Sequence, residues 1–269
     1  MMTGKDPEID YKFWKSPSSK AVFLLVHGLG AHAKRWEAMA EFFRQKGINS
    51  YAVELGDIDR PDSPAYRRDH FRAYYAKILD LYEIISADEP GKKVFLAGES
   101  LGGLISFLFA SSRPDLISGL ILISPAFETR YKPGLVEGIK MFAPLFYNPG
   151  KQFDLPFNAS MCTRDPHYLN ELEDDPEAAR SLSSRLILEI FRSEASAVRG
   201  ADKLNDPVIF LIAGDDKLVD PEAAKKIFNR IKTKDKKLIE FPGMYHSLSI
   251  ELGREKVFES LWEWVEKRI

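Results

Sequence analysis

The run Gly98-Glu99-Ser100-Leu101-Gly102 sets a serine between two glycines, directly after the apolar Val94-Phe95-Leu96-Ala97 and directly before an apolar helical stretch. That pattern is a strand, a sharp turn and a helix, with a hydroxyl at the turn. A serine hydroxyl is a weak nucleophile until the backbone holds it clear of its own element and a base can reach it. A turn this tight crowds the nucleophile against its flanks, so Gly98 and Gly102 stand where a Cβ would not fit, and Gly103 lets the helix pack closely under the sheet. The chemistry such a turn suits is acyl transfer through a serine ester.

A serine nucleophile needs a base, an acid that orients the base, and donors for the developing oxyanion. Of the five histidines, His246 lies in Gly243-Met244-Tyr245-His246-Ser247, between the last expected strand and the last helix, and is the candidate base. His32, His70 and His167 sit at helix starts or in loops with no strand before them, which suits surface or capping roles. His27 follows a strand but belongs to a glycine-rich loop. The acid is expected in Gly214-Asp215-Asp216-Lys217-Leu218-Val219-Asp220. Asp216 is favoured because Leu218 and Val219 can anchor its loop, Asp215 is its rival, and Asp220 before Pro221 suits a helix N-cap. The oxyanion donors are expected to be backbone N–H groups. One is Leu101, after the nucleophile at a helix N-terminus; the other is Leu29, in His27-Gly28-Leu29-Gly30. Losing one such donor typically costs about two to three orders of magnitude in turnover.

The elements that must hold these groups are legible as strands alternating with helices. Ile9 to Trp14, the unbroken apolar run Ala21 to Val26, Ile48 to Val53, Leu120 to Ile123, Val208 to Ala213 and Lys237 to Phe241 read as strands, beside the one that ends at the serine turn. Trp36 to Gln45, His70 to Ser86, Pro221 to Ile231 and Arg254 to Lys267 read as helices with apolar residues at helical spacing. Gly56 to Pro64 reads as a loop rich in Asp and Pro. Such alternation predicts an α/β fold with a mostly parallel central sheet and helices on both faces. Catalytic groups in such sheets sit beyond the carboxyl ends of the strands, and each residue named above falls just after one.

The alternation breaks from about Pro125 to Asp206. Two helical segments are expected there, one within Gly134 to Tyr147 and a longer one over Ala178 to Val198, with a Pro- and Asp-marked loop between them. The expected organisation is a core of residues 1–124 and 207–269 with an inserted helical cap of residues 125–206. In the first cap segment Leu135, Val136, Ile139, Met141, Phe142, Leu145 and Phe146 cover too much of a short helix to form one core stripe, and Leu135, Ile139, Phe142, Leu145 and Phe146 are the candidates for substrate contact. Two readings stand side by side: they bind an acyl chain or touch a membrane surface, or they pack on the main domain.

Composition narrows the class. Lys and Arg number 38 against 40 Asp and Glu, so no nucleic-acid partner is expected. The single cysteine, Cys162, has no glycine turn around it and reads as a structural or exposed thiol. No run of about eighteen apolar residues occurs and the first ten residues lack the apolar stretch of a leader, so the expectation is a cytoplasmic protein, peripheral to membranes at most. No internal repeat or low-complexity stretch is present. No metal or organic cofactor is called for by a serine, a histidine and an aspartate.

Together, His27-Gly28-Leu29-Gly30, Gly98-Glu99-Ser100-Leu101-Gly102-Gly103, Asp216-Lys217-Leu218-Val219-Asp220 and Gly243-Met244-Tyr245-His246 resemble the α/β-hydrolase superfamily, most closely its monoacylglycerol lipase and lysophospholipase branch, from about Ala21 to the C-terminus. The resemblance implies an acid in an Asp-basic-Leu-x-Asp turn, which matches Asp216, and a cap of this length and position. One departure is plain. Where the family usually carries Gly-His-Gly-x-Ser, this chain reads Glu54-Leu55-Gly56-Asp57-Ile58-Asp59. The expected activity is hydrolysis of medium- or long-chain acyl esters of a small alcohol. The same triad also serves small-ester esterases, thioesterases, acyltransferases and S33-type aminopeptidases, the last needing a cap acid such as Glu171, Glu173, Asp174 or Asp175 for a substrate amine. A non-catalytic ligand-binding scaffold is the alternative from another class. Ser100 excludes dehalogenases and epoxide hydrolases, which need an aspartate at that turn.

Overall fold

A computed structural model describes residues 2–6, 9–56, 59, 70–155, 157–176 and 178–269. The expected loop from Gly56 to Pro64 falls largely outside them. Its central feature, among the described residues, is an eight-stranded sheet in the order β1-β2-β4-β3-β5-β6-β9-β10. The strands are β1 (Met2–Asp6), β2 (Ile9–Trp14), β3 (Ala21–Val26), β4 (Ile48–Val53), β5 (Lys93–Glu99), β6 (Gly119–Ile123), β9 (Val208–Ala213) and β10 (Lys236–Phe241). β4, β3, β5, β6, β9 and β10 run parallel, and β2 joins β4 antiparallel. The hairpin partner β1 was not anticipated, because Met2–Asp6 has no strand-like apolar pattern.

The unbroken apolar strands have a simple cause. Val22, Leu24 and Val26 of β3 enter one core, while Ala21, Phe23 and Leu25 enter the other. Successive side chains point to opposite faces, so a strand covered on both faces must be apolar throughout. The first core is closed by α2 (His70–Asp88), α3 (Leu101–Ser112), part of α7 (Ser184–Ala201) and α8 (Pro221–Arg230). The second is closed by α1 (Glu37–Gln45), which a 3-10 turn at Ala33–Trp36 precedes, and by α9 (Arg254–Val265). The expected elements in this part match to within a few residues at their ends.

Strand order reverses at β3. The chain leaves β3 for β4 on one side and returns to β5 on the other. Two loops therefore diverge from the carboxyl ends of neighbouring strands, which opens a crevice there. Val26 pairs with Gly98 at that edge, so the loops after β3 and β5 start level with each other.

Between β6 and β9 lie α4 (Leu135–Phe142), a 3-10 turn (Ala143–Phe146), β7 (Gln152–Asp154), α5 (Ala159–Cys162), α6 (Pro166–Asp174), β8 (Ser181–Ser183) and α7. The long helix expected from Ala178 begins only at Ser184. Ser181–Ser183 is extended instead and pairs antiparallel with β7, placing Leu182 opposite Phe153. Ser183 then caps α7, its Oγ accepting from Leu186 N–H at 3.0 Å. Serines favour such caps over helix interiors, and the strand pairing supplies partners for the residues before it. The loop expected between the two helices also contains the short α5 and α6. The far end of α7 is built into the core. Ala197 and Ala201 are fully buried there, and a Cβ on Gly200 would come within 3.1 Å of the Phe107 ring.

Candidate active site

Ser100 sits on the turn between β5 and α3 with φ 56° and ψ −123°. A non-glycine residue with positive φ is strained and persists only where its surroundings impose it. Here Ser100 N–H donates to Ile123 O at 2.9 Å, and Ser100 O accepts from Ala126 N–H at 3.0 Å. The flanking glycines are there for space. A Cβ on Gly98 would lie 2.3 Å from Gly102 O, and one on Gly102 would lie 2.2 Å from Val26 O. The loop after β3 approaches just as closely, since a Cβ on Gly28 would stand 3.1 Å from Ser100 Cβ.

His246 is buried on the loop after β10, and its Nδ1–H donates to Asp216 Oδ2 at 2.7 Å. Its Nε2 has no hydrogen-bond partner among the described residues. Burial opposes charging this ring, but the Asp216 carboxylate outweighs it, Glu99 adds to the effect, and the histidine pKa is raised. Asp216 is 4% exposed, and its other oxygen accepts from Leu218 N–H at 2.8 Å and Val219 N–H at 2.9 Å. Asp215 instead faces solvent, where its carboxylate meets Lys217 at 2.6 Å, and Asp220 caps α8 through Glu222 N–H. Leu101 is the first residue of α3, so its N–H has no intrahelical carbonyl to meet.

Gly28, Leu29, Ser100, Leu101 and His246 all line one cavity of about 760 Å³. Much of its wall comes from the excursion after β6: Met141, Phe153, Leu155, Leu182, Ile187, Ile190 and Phe191. The excursion also lies over the glycine loop, because a Cβ on Gly30 would be 2.7 Å from Ala179 O.

The five cap residues singled out in the sequence do not line this cavity. Leu135 is 83% exposed and Phe146 93%, and Ile139 is exposed beside Val136 and Tyr147. Phe142 turns inward against Phe191, and Leu145 is half-buried. The apolar surplus of α4 faces outward rather than into the cavity, and the helix reaches the cavity through Met141.

Arg35 and Glu194 carry no motif and were missed as wall residues; Glu99 and Cys162 stand in the same wall. Arg35 is buried with Nη2 on Asp175 at 3.1 Å, and Glu99 is buried next to Ser100. Glu194 receives Thr129 N–H, and burial pushes its carboxyl up to about 7. Cys162 is half-buried in the wall, with burial pushing its thiol up to about 11. Two histidines sit at helix starts as expected but are buried rather than on the surface: His32, at the N-cap position of the Ala33–Trp36 turn with no cap bond from its side chain, lies against Asp175, and His70, the first residue of α2, lies between Asp59 and Glu189. His167 is exposed, as expected. Where the sequence departs from the usual loop after the third family strand, Glu54 takes a structural place. It bonds His27 Nε2 and Ala33 N–H, which hold its carboxyl down to about 2 in spite of burial. Asp57 and Ile58 of that segment lie outside the described residues.

Among the described residues, no cluster suited to a metal is present and no helix is long and apolar enough to cross a membrane. The family model described as serine aminopeptidase, S33, matches residues 17–253. A phospholipase of Bacillus subtilis is 28% identical over 260 residues, covering 95% of this chain and 99% of that relative. The monoglyceride lipase of Mus musculus is 27% identical over 270 residues, covering 96% and 86%. The crystal structure of a monoacylglycerol lipase from Paleococcus ferrophilus superposes with a TM-score of 0.84 at 26% identity, covering 97% of this chain and 99% of that one. With this fold and these relatives, the chain belongs to the serine aminopeptidase S33 family and is an α/β-hydrolase of its monoacylglycerol lipase-like branch, a serine hydrolase of the esterase and lipase type.

Proposed function

We propose that this protein hydrolyses acyl esters of a small alcohol, medium- or long-chain monoacylglycerols or lysophospholipids, with Ser100, His246 and Asp216 as its triad. The observation that carries the reading is one large cavity, mostly apolar, with Ser100 and His246 in its wall and Asp216 behind the imidazole. The names of the relatives, phospholipase and monoglyceride lipase, point the same way. Residues 125–206 act as the cap that closes the cavity.

In this mechanism His246 Nε2 takes the Ser100 hydroxyl proton as Oγ attacks the ester carbonyl. The N–H groups of Leu29 and Leu101 hold the tetrahedral oxyanion. The ester C–O bond breaks, and the leaving alcohol takes the proton from His246. Water, deprotonated by the same nitrogen, then attacks the acyl-serine. The bond to Oγ breaks, Ser100 recovers its proton, and the fatty acid departs. Asp216 holds the ring in the tautomer that leaves Nε2 free and stabilises the imidazolium. The outward-facing Leu135, Val136, Ile139, Phe146 and Tyr147 form an apolar patch that rests transiently on a lipid surface.

The test is a chain-length series: p-nitrophenyl esters from acetate to palmitate beside 1- and 2-monoacylglycerols and a lysophospholipid, with Ser100→Ala as the blank. Serine-dependent release favouring medium or long chains supports the reading. Release confined to acetate or butyrate discards the lipid assignment and keeps the triad.

A second reading, aminopeptidase, has one observation behind it. Glu173 and Glu194 stand in the cavity wall, and either carboxyl would suit a substrate ammonium. Cleavage of amino-acid amides with no release from monoacylglycerols would decide for it.

A further inference from the structure

Glu99 is the last residue of β5 and is bonded to Ser100 through the peptide link. The residue is 6% exposed, and both of its carboxyl oxygens meet one residue on the loop after β10. Ser249 N–H donates to Oε1 at 3.1 Å, and Ser249 Oγ–H donates to Oε2 at 2.8 Å. Ser249 is itself 1% exposed and lies three residues beyond His246 on the same loop. A buried carboxylate is costly, and the end of an apolar strand does not need one. Its bidentate hold therefore falls on the loop that carries the base, from the residue that precedes the nucleophile.

We propose that Glu99 is a positioning residue for His246: it latches the His246 loop to the nucleophile turn through Ser249. The proposal rests on the assignment of Ser100 and His246 as nucleophile and base.

The surroundings fit. Asp216 approaches the imidazole from the loop after β9, and Glu99 from the end of β5. The His246 ring and the Arg35 guanidinium, the latter from the turn after β3, are the positive groups that act on Glu99, with the Cys162 thiol of α5 also within electrostatic range. The remaining ions near the loop have partners of their own. Arg164 pairs with Glu251 at 3.0 Å, and Lys217 lies over the Tyr245 ring and pairs with Asp215. Burial pushes the Glu99 carboxyl up, against the two Ser249 donors and the positive fields of His246 and Arg35.

Three variants test the latch from its two ends. Ser249→Ala removes the hydroxyl and loosens it, so kcat should fall about tenfold with KM within about twofold, because misplacing a catalytic group costs turnover rather than binding. Glu99→Asp shortens the arm that spans to Ser249 and should resemble Ser249→Ala. Glu99→Gln keeps the length, an acceptor for Ser249 N–H and a donor for Ser249 Oγ, and should hold kcat within about threefold of wild type. If Ser249→Ala and Glu99→Asp lower only the melting temperature and leave kcat unchanged, Glu99 is a structural buttress and the proposal is overturned. Labelling of the wild-type protein at Ser100 with an alkyl fluorophosphonate is run alongside. No labelling there would sink the nucleophile assignment, whereas labelling together with unchanged kcat in the variants would sink the latch alone.

Discussion

Asp216 divides its two oxygens between different tasks: Oδ2 receives His246 Nδ1–H at 2.7 Å, while Oδ1 receives the backbone N–H groups of Leu218 and Val219. The carboxylate is thus fixed by its own loop before it meets the ring. Asp216→Asn presents an amide that can donate to Nδ1, favouring the tautomer with the proton on Nε2. Turnover should drop by about three to four orders of magnitude with the fold retained. Asp215→Asn, at the solvent-facing neighbour, should stay within about twofold of wild type. Ester hydrolysis by both purified variants checks the pair, and equal losses would overturn the assignment of the acid.

The pH profile follows from the same contact. The base must be neutral to accept the Ser100 proton, and Asp216 with Glu99 raises the His246 pKa from its ordinary 6.5. Raising it extends the inactive, protonated form to higher pH. The acid limb of kcat/KM should therefore have its midpoint above 6.5, with activity recovered on the alkaline side. Rates from pH 5 to 9 would show this, and a midpoint at or below 6 would contradict it.

The turn at Ser100 tolerates no side chain on its flanks. An added Cβ at Gly102 would lie 2.2 Å from Val26 O, which is backbone of the central sheet and cannot step aside. Gly102→Ala should cost more than about 3 kcal/mol and lower soluble yield. Urea denaturation measures it. A change below about 1 kcal/mol would mean that β3 and the turn have more freedom than this geometry allows.

His70 ties the start of α2 to the excursion after β6, with Nδ1 3.0 Å from Glu189 on α7 and Nε2 3.2 Å from Asp59. Burial works against its charge, yet the two carboxylates outweigh it and hold the pKa up to about 9. A raised histidine pKa stabilises the fold fully below the unfolded value near 6.5, and this contribution is lost as pH rises through about 9. The wild-type melting temperature should decline across that window. His70→Gln leaves two carboxylates without their cation, should cost about 3 kcal/mol or more at pH 6, and should flatten the decline. Parallel pH dependences in the two proteins would refute this account.

The outward patch on α4 and the following turn should matter only at a lipid surface. Replacing Leu135, Ile139 and Phe146 by serine removes about 1.5–3 kcal/mol of burial each if all three insert. Co-sedimentation with phosphatidylcholine vesicles should weaken by at least about tenfold, while hydrolysis of a soluble butyrate ester stays near wild type. Unchanged vesicle binding would show that the patch does not touch lipid.

Much of the scaffold was legible in one dimension because its causes are local. A strand buried on both faces must be an unbroken apolar run, as Ala21–Val26 is, and an amphipathic helix repeats its apolar residues every three or four positions, as Glu37–Gln45 does. The serine turn announces itself through Gly98 and Gly102 because the constraint there is steric and confined to neighbours. Short extended pieces escaped. Ser181–Ser183 is a strand only because Gln152–Asp154 lies beside it, and nothing in three residues records a partner that distant. The site divides along the same line. Residue types and order along the chain single out Ser100, His246 and the aspartate turn. That Glu99 reaches Ser249 150 positions away, that His70 meets Glu189 119 positions away, and that α4 and the turn after it present Leu135 and Phe146 outward were decided by tertiary structure, which also set the favoured Asp216, not Asp215, against the ring. Those contacts depend on where the sheet's crossover brings separate loops together, and that is a property of the whole chain rather than of any stretch of it.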